Sequence, residues 1–208
     1  MPRQVVLATH NEHKVHELQQ ILGGAGLDLE VLTMSAFPEV ADVAETEVSF
    51  AGNATLKAAA VAAATGLPAL ADDSGLSVDV LGGSPGIFSA RWSGRHGGAE
   101  LSRAEKDARN LQLLLDQLAD VPDAHRGGAF RCAAALVAPG EEPVVVEGRL
   151  DGVIGGAPAG ENGFGYDPVF VPEGRQRTLA EHSDEEKNAI SHRGRAFRAM
   201  VPHLQTLV

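Results

Sequence analysis

Short apolar runs, often β-branched, alternate along the chain with segments whose apolar residues recur at helical spacing, which restricts the fold to an α/β protein with a mixed sheet. Val5-Val6-Leu7-Ala8 reads as a strand, followed by Val15, Leu18 and Leu22 on one helical face. Residues 29–32 read as a second strand. After an acidic stretch at 39–47, an alanine-rich run over 50–64 has strong helix propensity. Residues 69–71 and 76–81 read as two strand segments interrupted by Asp72-Asp73-Ser74-Gly75. Leu101, Ala104, Ala108, Leu111 and Leu115 predict a helix within 99–118, and the runs 129–137 and 144–150 predict a β-hairpin. Two glycine-rich stretches, 82–98 and 155–165, read as loops, the second leading into the apolar run 169–171. Phe197, Met200, Val201 and Leu204 mark a final helix, with Pro202 weakening its last turn.

The 208 residues suffice for one large domain, which at this length buries about 70% of its unfolded surface. Seventeen Lys and Arg stand against 28 Asp and Glu, a formal charge of −11. That balance argues against a broad nucleic-acid-binding or basic membrane-surface protein. Only four of the basic residues are lysines: Lys14, Lys57, Lys106 and Lys187. Cys132 has no partner for an intramolecular disulfide, and the start of the chain lacks the pattern of a secretory signal. No segment approaches the ~18 apolar residues of a membrane span. The expectation is a soluble cytoplasmic protein.

Five segments concentrate chemistry-bearing residues. Thr9-His10-Asn11-Glu12-His13-Lys14 joins the first strand to the first helix. Asn11 suits the N-cap, which places Lys14 at about the third helical position. A cation there opposes the helix dipole unless an anion such as phosphate occupies the end; the alternative is a capped helix with a solvated lysine. Asn53 and Lys57 share one face of the alanine-rich helix, either as part of a site or as a polar stripe, with Glu45 and Glu47 just upstream. Asp72 and Asp73 interrupt apolar sequence, where unpaired charge is costly to bury. With Glu45 they form an oxygen donor set suited to Mg2+; the alternative is a polar turn between edge strands. Asn162 to Pro168 sets Phe164 and the sole tyrosine, Tyr166, among glycines, either as a platform for a planar ligand or as a turn with Phe164 in the core. Lys187 to Arg193 gathers donors immediately before the last helix.

Three other patterns fail on chemistry. Gly82-Gly83-Ser84-Pro85-Gly86 matches G-x-S-x-G, but Pro85 has no N–H to donate to an oxyanion. There is no G-K dipeptide for a Walker A loop. His10, His13 and His16 fit no zinc motif and suit a surface turn better.

In this order the segments resemble the inosine triphosphate pyrophosphatase family, over residues 5–204. The matching motifs are T-x-N-x-x-K at Thr9, Asn11 and Lys14; E-T at Glu45; N-A-x-x-K-A at Asn53 to Ala58; A-D-D-S-G-L at Ala71 to Leu76; G-x-P-G-I-x-S-A-R at Gly83 to Arg91; F-G-Y-D-P at Phe164 to Pro168; and E-K-x-x-I-S-H-R-G at Glu186 to Gly194. The resemblance implies an elongated two-lobed fold over residues 1–208, with a long mixed, twisted sheet, helices around a central cleft that holds the site, and a homodimer. It implies hydrolysis of ITP, dITP and XTP to the monophosphate and pyrophosphate by Mg2+-assisted attack of water on the α-phosphorus.

By the same resemblance Asp73 is the proton acceptor, assisted by Asp72, and Glu45 and Asp73 surround Mg2+. Thr9, His10, Asn11, Glu12, His13, Lys14 and Lys57 bind phosphates, and Ser74 contacts the nucleotide. Phe164 stacks on the base, Gly165, Tyr166 and Asp167 complete that wall, and Lys187, His192 and Arg193 finish the pocket. Arg193 and His192 would donate to the 6-oxo group of hypoxanthine or xanthine, and rejection of GTP would act at the 2-amino position. Two positions depart from the family pattern: Gly52 stands where Glu is frequent, and Glu47 where a small residue is frequent. A pyrophosphatase for modified pyrimidine nucleotides and a non-catalytic nucleotide sensor are the competing readings.

Overall fold

A computed structural model of the chain describes residues 3–25, 29–94 and 101–207. Six strands form one mixed sheet in the order β2-β1-β3-β4-β5-β6: β1 (Arg3–Leu7), β2 (Leu29–Thr33), β3 (Ala69–Val78), β4 (Gly127–Val137), β5 (Val144–Ile154) and β6 (Phe170–Pro172). β1 runs parallel to both β2 and β3, and β5 antiparallel to β6. Among the described residues five helices accompany them: α1 (Glu12–Gly24), α2 (Phe50–Thr65), α3 (Arg103–Gln117), α4 (Asp184–Ile190) and α5 (His192–Gln205). The α/β reading and the interleaved order are borne out. Among the described residues, no helix is long and apolar enough to cross a membrane.

The structure corrects the reading in three places. Asp72-Asp73-Ser74-Gly75 does not interrupt two strands; β3 runs through it as one ten-residue strand. Lys14 and Arg193 on neighbouring helices pair with Asp72, and Asn53 donates to Asp73, so the carboxylates that suggested a turn are accommodated inside the sheet. The 187–193 segment is not one stretch ahead of the last helix: Lys187 lies in α4, opened by a capping box of Ser183 and Glu186, and His192 and Arg193 are already in α5. Residues 86–91 of the first glycine-rich stretch form a 3-10 turn; 95–100, with the predicted helix start at 99–100, lie outside the described residues.

The chain divides into two compact units. One comprises 1–73, 132–148 and 192–208, the other 74–131 and 149–191. In the first unit the sheet carries apolar side chains on both faces, as buried parallel strands require. Val5, Leu7, Leu70, Cys132, Ala134 and Leu136 pack with Leu18 and Leu22 of α1 and Phe197, Met200 and Leu204 of α5. Val6, Ala69, Ala71, Ala133, Ala135 and Val137 pack instead with Ala54, Ala58, Val61 and Ala62 of α2. Alternation along the strands therefore sends even and odd positions of β3 to different helices. Asp72 continues the face of Leu70, toward α1 and α5. Asp73 continues the face of Ala69 and Ala71, toward α2. The second unit has a core of its own, in which Leu76, Val78, Phe130, Leu150, Ile154, Tyr166, Phe170 and Leu179 pack with Leu111, Leu114 and Leu118 of α3.

Candidate active site

The first unit holds two charged constellations, one on each face of β3. On the α1/α5 face, Asp72 is fully buried and its Oδ2 lies 2.9 Å from Lys14 Nζ and 3.2 Å from Arg193 Nε. Arg193 Nη1 donates in turn to Glu17 Oε2 at 2.8 Å. Cys132 Sγ, on β4, lies 3.8 Å from Asp72 Oδ2, within reach of a weak thiol hydrogen bond. Burial alone would raise the Asp72 pKa, but Lys14, Arg193 and Lys57 outweigh it and hold the carboxyl well below its ordinary range. Burial, and then the Asp72 charge, push the Cys132 thiol far above its usual value, so it stays protonated as a donor.

The local sequence explains how these groups meet. Thr9 Oγ1 accepts the Asn11 N–H at 3.1 Å, and Asn11 O accepts the Val15 N–H at 3.2 Å, so Asn11 stands at the N-cap position of α1. Lys14 is then the third helical residue, as expected, and Glu17 follows one turn later on the same side. The helix-opposing lysine is compensated by Asp72 and is not a solvated surface cation. Arg193, at the second position of α5, is likewise buried with Asp72 and Glu17 as counter-ions.

On the α2 face, Asp73 Oδ2 accepts from Asn53 Nδ2 at 2.9 Å, and its Oδ1 lies 4.0 Å from Lys57 Nζ. Lys57 donates to Glu45 Oε1 at 2.8 Å. Burial raises the Asp73 pKa, and the opposing pull of Lys57 and Asn53 is too weak to reverse it. Lys57 loses affinity for its proton through burial but gains more from Glu45, Asp72 and Asp73, so the ammonium is held above its ordinary value. Two neighbouring aspartates are thus shifted in opposite directions, because the pleat delivers them to environments of opposite character.

The two departures from the family pattern occupy one place. A Cβ on Gly52 would lie 2.8 Å from Glu47 Cβ, so Glu47 packs where any larger residue at 52 would sit. The Glu47 N–H donates to Asn53 Oδ1 at 3.0 Å, which orients the amide that holds Asp73.

The second unit gathers Phe164, Asp167 and Lys187. Asp167 Oδ2 accepts from Lys187 Nζ and from the Phe164 N–H, each at 2.8 Å. Gly163 has φ +77° and faces the same carboxylate, where a Cβ would collide with it, so the turn depends on glycine. Lys187 Nζ stands 4.6 Å from the Phe164 ring centroid and Arg103 Cζ 5.4 Å from it. The two aromatics have different fates. Tyr166 is in the core, its OH donating to Ser89 O at 2.9 Å, whereas Phe164 is half-buried and Phe164 alone of the pair retains a partly exposed ring. The Gly165 N–H donates to Asp107 Oδ2 at 3.3 Å, which ties this turn to α3.

The remaining sequence-derived residues are spread more widely. His10 is exposed and pairs with Asp42 at 3.1 Å. Glu12 and His13 open α1, their side chains outside the described ones. Ser74 follows Asp73 on β3, and His192 is buried at the start of α5. Lys187 belongs to the second unit, His192 and Arg193 to the first. Glu17, Cys132, Arg103 and Asp107 escaped motif reading. Of these only Glu17 carried a sequence signal, its three-residue spacing from Lys14.

These features define an α/β protein with buried carboxylate–cation constellations on consecutive residues of a central strand. The model of the Ham1 family matches residues 5–203, and the chain belongs to that family. It is 58% identical over 205 residues to the dITP/XTP pyrophosphatase of Streptomyces avermitilis, covering 99% of this chain and 98% of that protein. The structure is similar to that of a HAM1 protein from Coxiella burnetii, with TM-score 0.86 at 39% identity, covering 98% of this chain and 99% of the other. It is also similar to the nucleoside-triphosphatase / dITP/XTP pyrophosphatase of Mycobacterium abscessus, with TM-score 0.76 at 50% identity, covering 97% and 99%. The resemblance drawn from the motifs is borne out.

Proposed function

We propose that the chain hydrolyses ITP, dITP and XTP to the nucleoside monophosphate and pyrophosphate, removing non-standard purines from the nucleotide pool. The observation that carries this reading is Asp73, a buried carboxylate with a raised pKa, held by Asn53 and facing Lys57 and Glu45. A carboxylate of raised basicity accepts a proton better near neutral pH. In this role Asp73 takes the proton of the water that attacks the α-phosphorus, and the bond to pyrophosphate breaks.

Glu45 and Asp73 offer hard oxygen donors on either side of the Lys57 ammonium, a set that fits Mg2+ bound by one or two carboxylates together with phosphate oxygens. When bound, Mg2+ supplies positive charge against the polyphosphate. Thr9, His10, Asn11, Glu12, His13, Lys14 and Lys57 bind phosphates. Phe164 takes the base, with Gly165 and Asp167 shaping its turn. Tyr166 acts from within the core, Ser74 contacts the nucleotide, and Lys187 and His192 complete the binding set. The whole chain is one two-lobed domain, and it works as a cytoplasmic homodimer, a state that light scattering checks.

Incubation with Mg2+ and ITP, XTP, GTP or ATP, with pyrophosphate and orthophosphate measured separately, tests the reading. Pyrophosphate release favouring ITP and XTP is expected. Orthophosphate alone, or equal turnover of ATP and ITP, overturns it.

The geometry also revises one role. Arg193 Nε and Nη1 are engaged by Asp72 and Glu17, so in our reading Arg193 positions Asp72 and does not read the purine edge. Arg193→Ala is expected to lower kcat/KM for ITP and ATP by similar factors. A selectively larger loss for ITP would return Arg193 to the base.

A further inference from the structure

Among the described residues, Lys187 and Arg103 both face the Phe164 ring, and they differ in access. The Lys187 side chain is 6% exposed and spends its charge on Asp167, 2.8 Å away. The Arg103 side chain is 59% exposed and lies 3.9 Å from its nearest carboxylate oxygen, Asp107 Oδ2, which also accepts from the Gly165 N–H. A planar ligand arriving at this ring from solvent therefore meets the guanidinium of Arg103 before the ammonium of Lys187.

Within its own helix Arg103 gains only a long i,i+4 ion pair with Asp107, at 3.9 Å. It is the first residue of α3, where a cation opposes the helix dipole, and the capping box of Ser102 and Glu105 already satisfies that end. What Arg103 touches instead is the Phe164 ring. A guanidinium is planar and always charged, so it can stack on rings and attract an anion at once. The purines in question differ in charge. Xanthine in a nucleotide loses a ring proton near neutral pH and becomes a delocalised anion, whereas hypoxanthine stays neutral.

We propose that Arg103 is a specificity-determining residue that attracts the anionic form of a xanthine base at Phe164 and so favours XTP over ITP. This rests on the reading of Phe164 as the base platform. Among the described residues, the other charged groups near the ring are Asp107 on α3, Asp167 beside the turn and Lys187 on α4. Asp167 is engaged by Lys187 and the Phe164 N–H, and Asp107 by the Gly165 N–H, which leaves Arg103 as the cation with charge to spare.

The test is kcat/KM for XTP and ITP with the wild type, Arg103→Gln and Arg103→Lys, each above and below the pH at which xanthosine nucleotides lose their ring proton. In the wild type the XTP/ITP ratio should rise as the base ionises. Arg103→Gln should lower that ratio roughly fivefold above the transition, with little effect below it, as expected for removal of one partly exposed cation from a π-stacked anion. Arg103→Lys should recover most of the preference. Equal losses for both substrates, or a change in ratio that does not follow ionisation of xanthine, overturn the proposal. Wild-type protein that turns over neither substrate overturns the pyrophosphatase reading instead, so the two failures are distinct.

Discussion

Asp73→Asn is expected to lower kcat for ITP by about a hundred- to ten-thousand-fold, the range of a general acid–base contribution, while nucleotide binding is retained. Asparagine keeps the shape of the side chain and can still meet Lys57 and Asn53, but it cannot accept the proton of the attacking water. The second half of the prediction concerns stability. A carboxyl whose folded pKa is raised binds its proton more tightly when folded, so its contribution to stability falls as pH climbs from its ordinary pKa through the raised one. At neutral pH that penalty is present, and the neutral amide removes it. The variant should unfold at a temperature no lower than the wild type, as expected of a site that trades stability for activity. Near-normal turnover of ITP would remove Asp73 as proton acceptor.

Asp72→Asn should behave in the opposite way. Its carboxylate is the counter-ion of partly buried Lys14 and buried Arg193, and removing the charge takes that counter-ion from both, while Glu17 still pairs with Arg193. Breaking a buried pair from one side costs about 3 to 5 kcal/mol. Asp72 has a depressed folded pKa, so its stabilisation is fully present above the unfolded carboxyl pKa and is lost only as pH falls through the depressed value. The deficit of the variant should therefore be constant across neutral pH and shrink in strong acid. Urea unfolding at several pH values measures it. A change in midpoint as small as that of a surface substitution would show that the Lys14–Asp72–Arg193–Glu17 network does not act as a unit.

Much of the architecture was legible because it rests on local periodicity. The apolar runs at Val5–Leu7 and within β4, the 3.6-residue pattern of α1 and α3, and the alanine run of α2 each specify an element without reference to distant residues. One feature was misread and one left open where local rules were overruled from afar. Asp72 and Asp73 looked like a turn because carboxylates are costly inside a strand, and only Lys14, Arg193, Asn53 and Lys57, brought from three helices, make them tolerable there. For the segment holding Phe164 and Tyr166, the residues alone left open a platform for a planar ligand or a turn with Phe164 in the core. The Ser89 carbonyl, 77 positions away, draws Tyr166 into the core and leaves Phe164 with the partly exposed ring. Glu17 carried only its three-residue spacing from Lys14, and nothing adjacent to Arg103 in sequence marks the Phe164 ring as its partner.

By itself, the sequence determined which residue types were available, that strands and helices would interleave, and which family's motif order the chain follows. Tertiary structure alone decided what two consecutive aspartates would do. A strand turns successive side chains to opposite faces. Pairing with β1 and β4, and covering by α1 and α5 on one face and α2 on the other, surrounds Asp72 with the cations Lys14 and Arg193 and Asp73 with an amide and a more distant ammonium. One carboxyl is thereby held ionised as a structural counter-ion, and its neighbour is left basic, because burial favours the neutral form wherever opposite charge is too weak to oppose it.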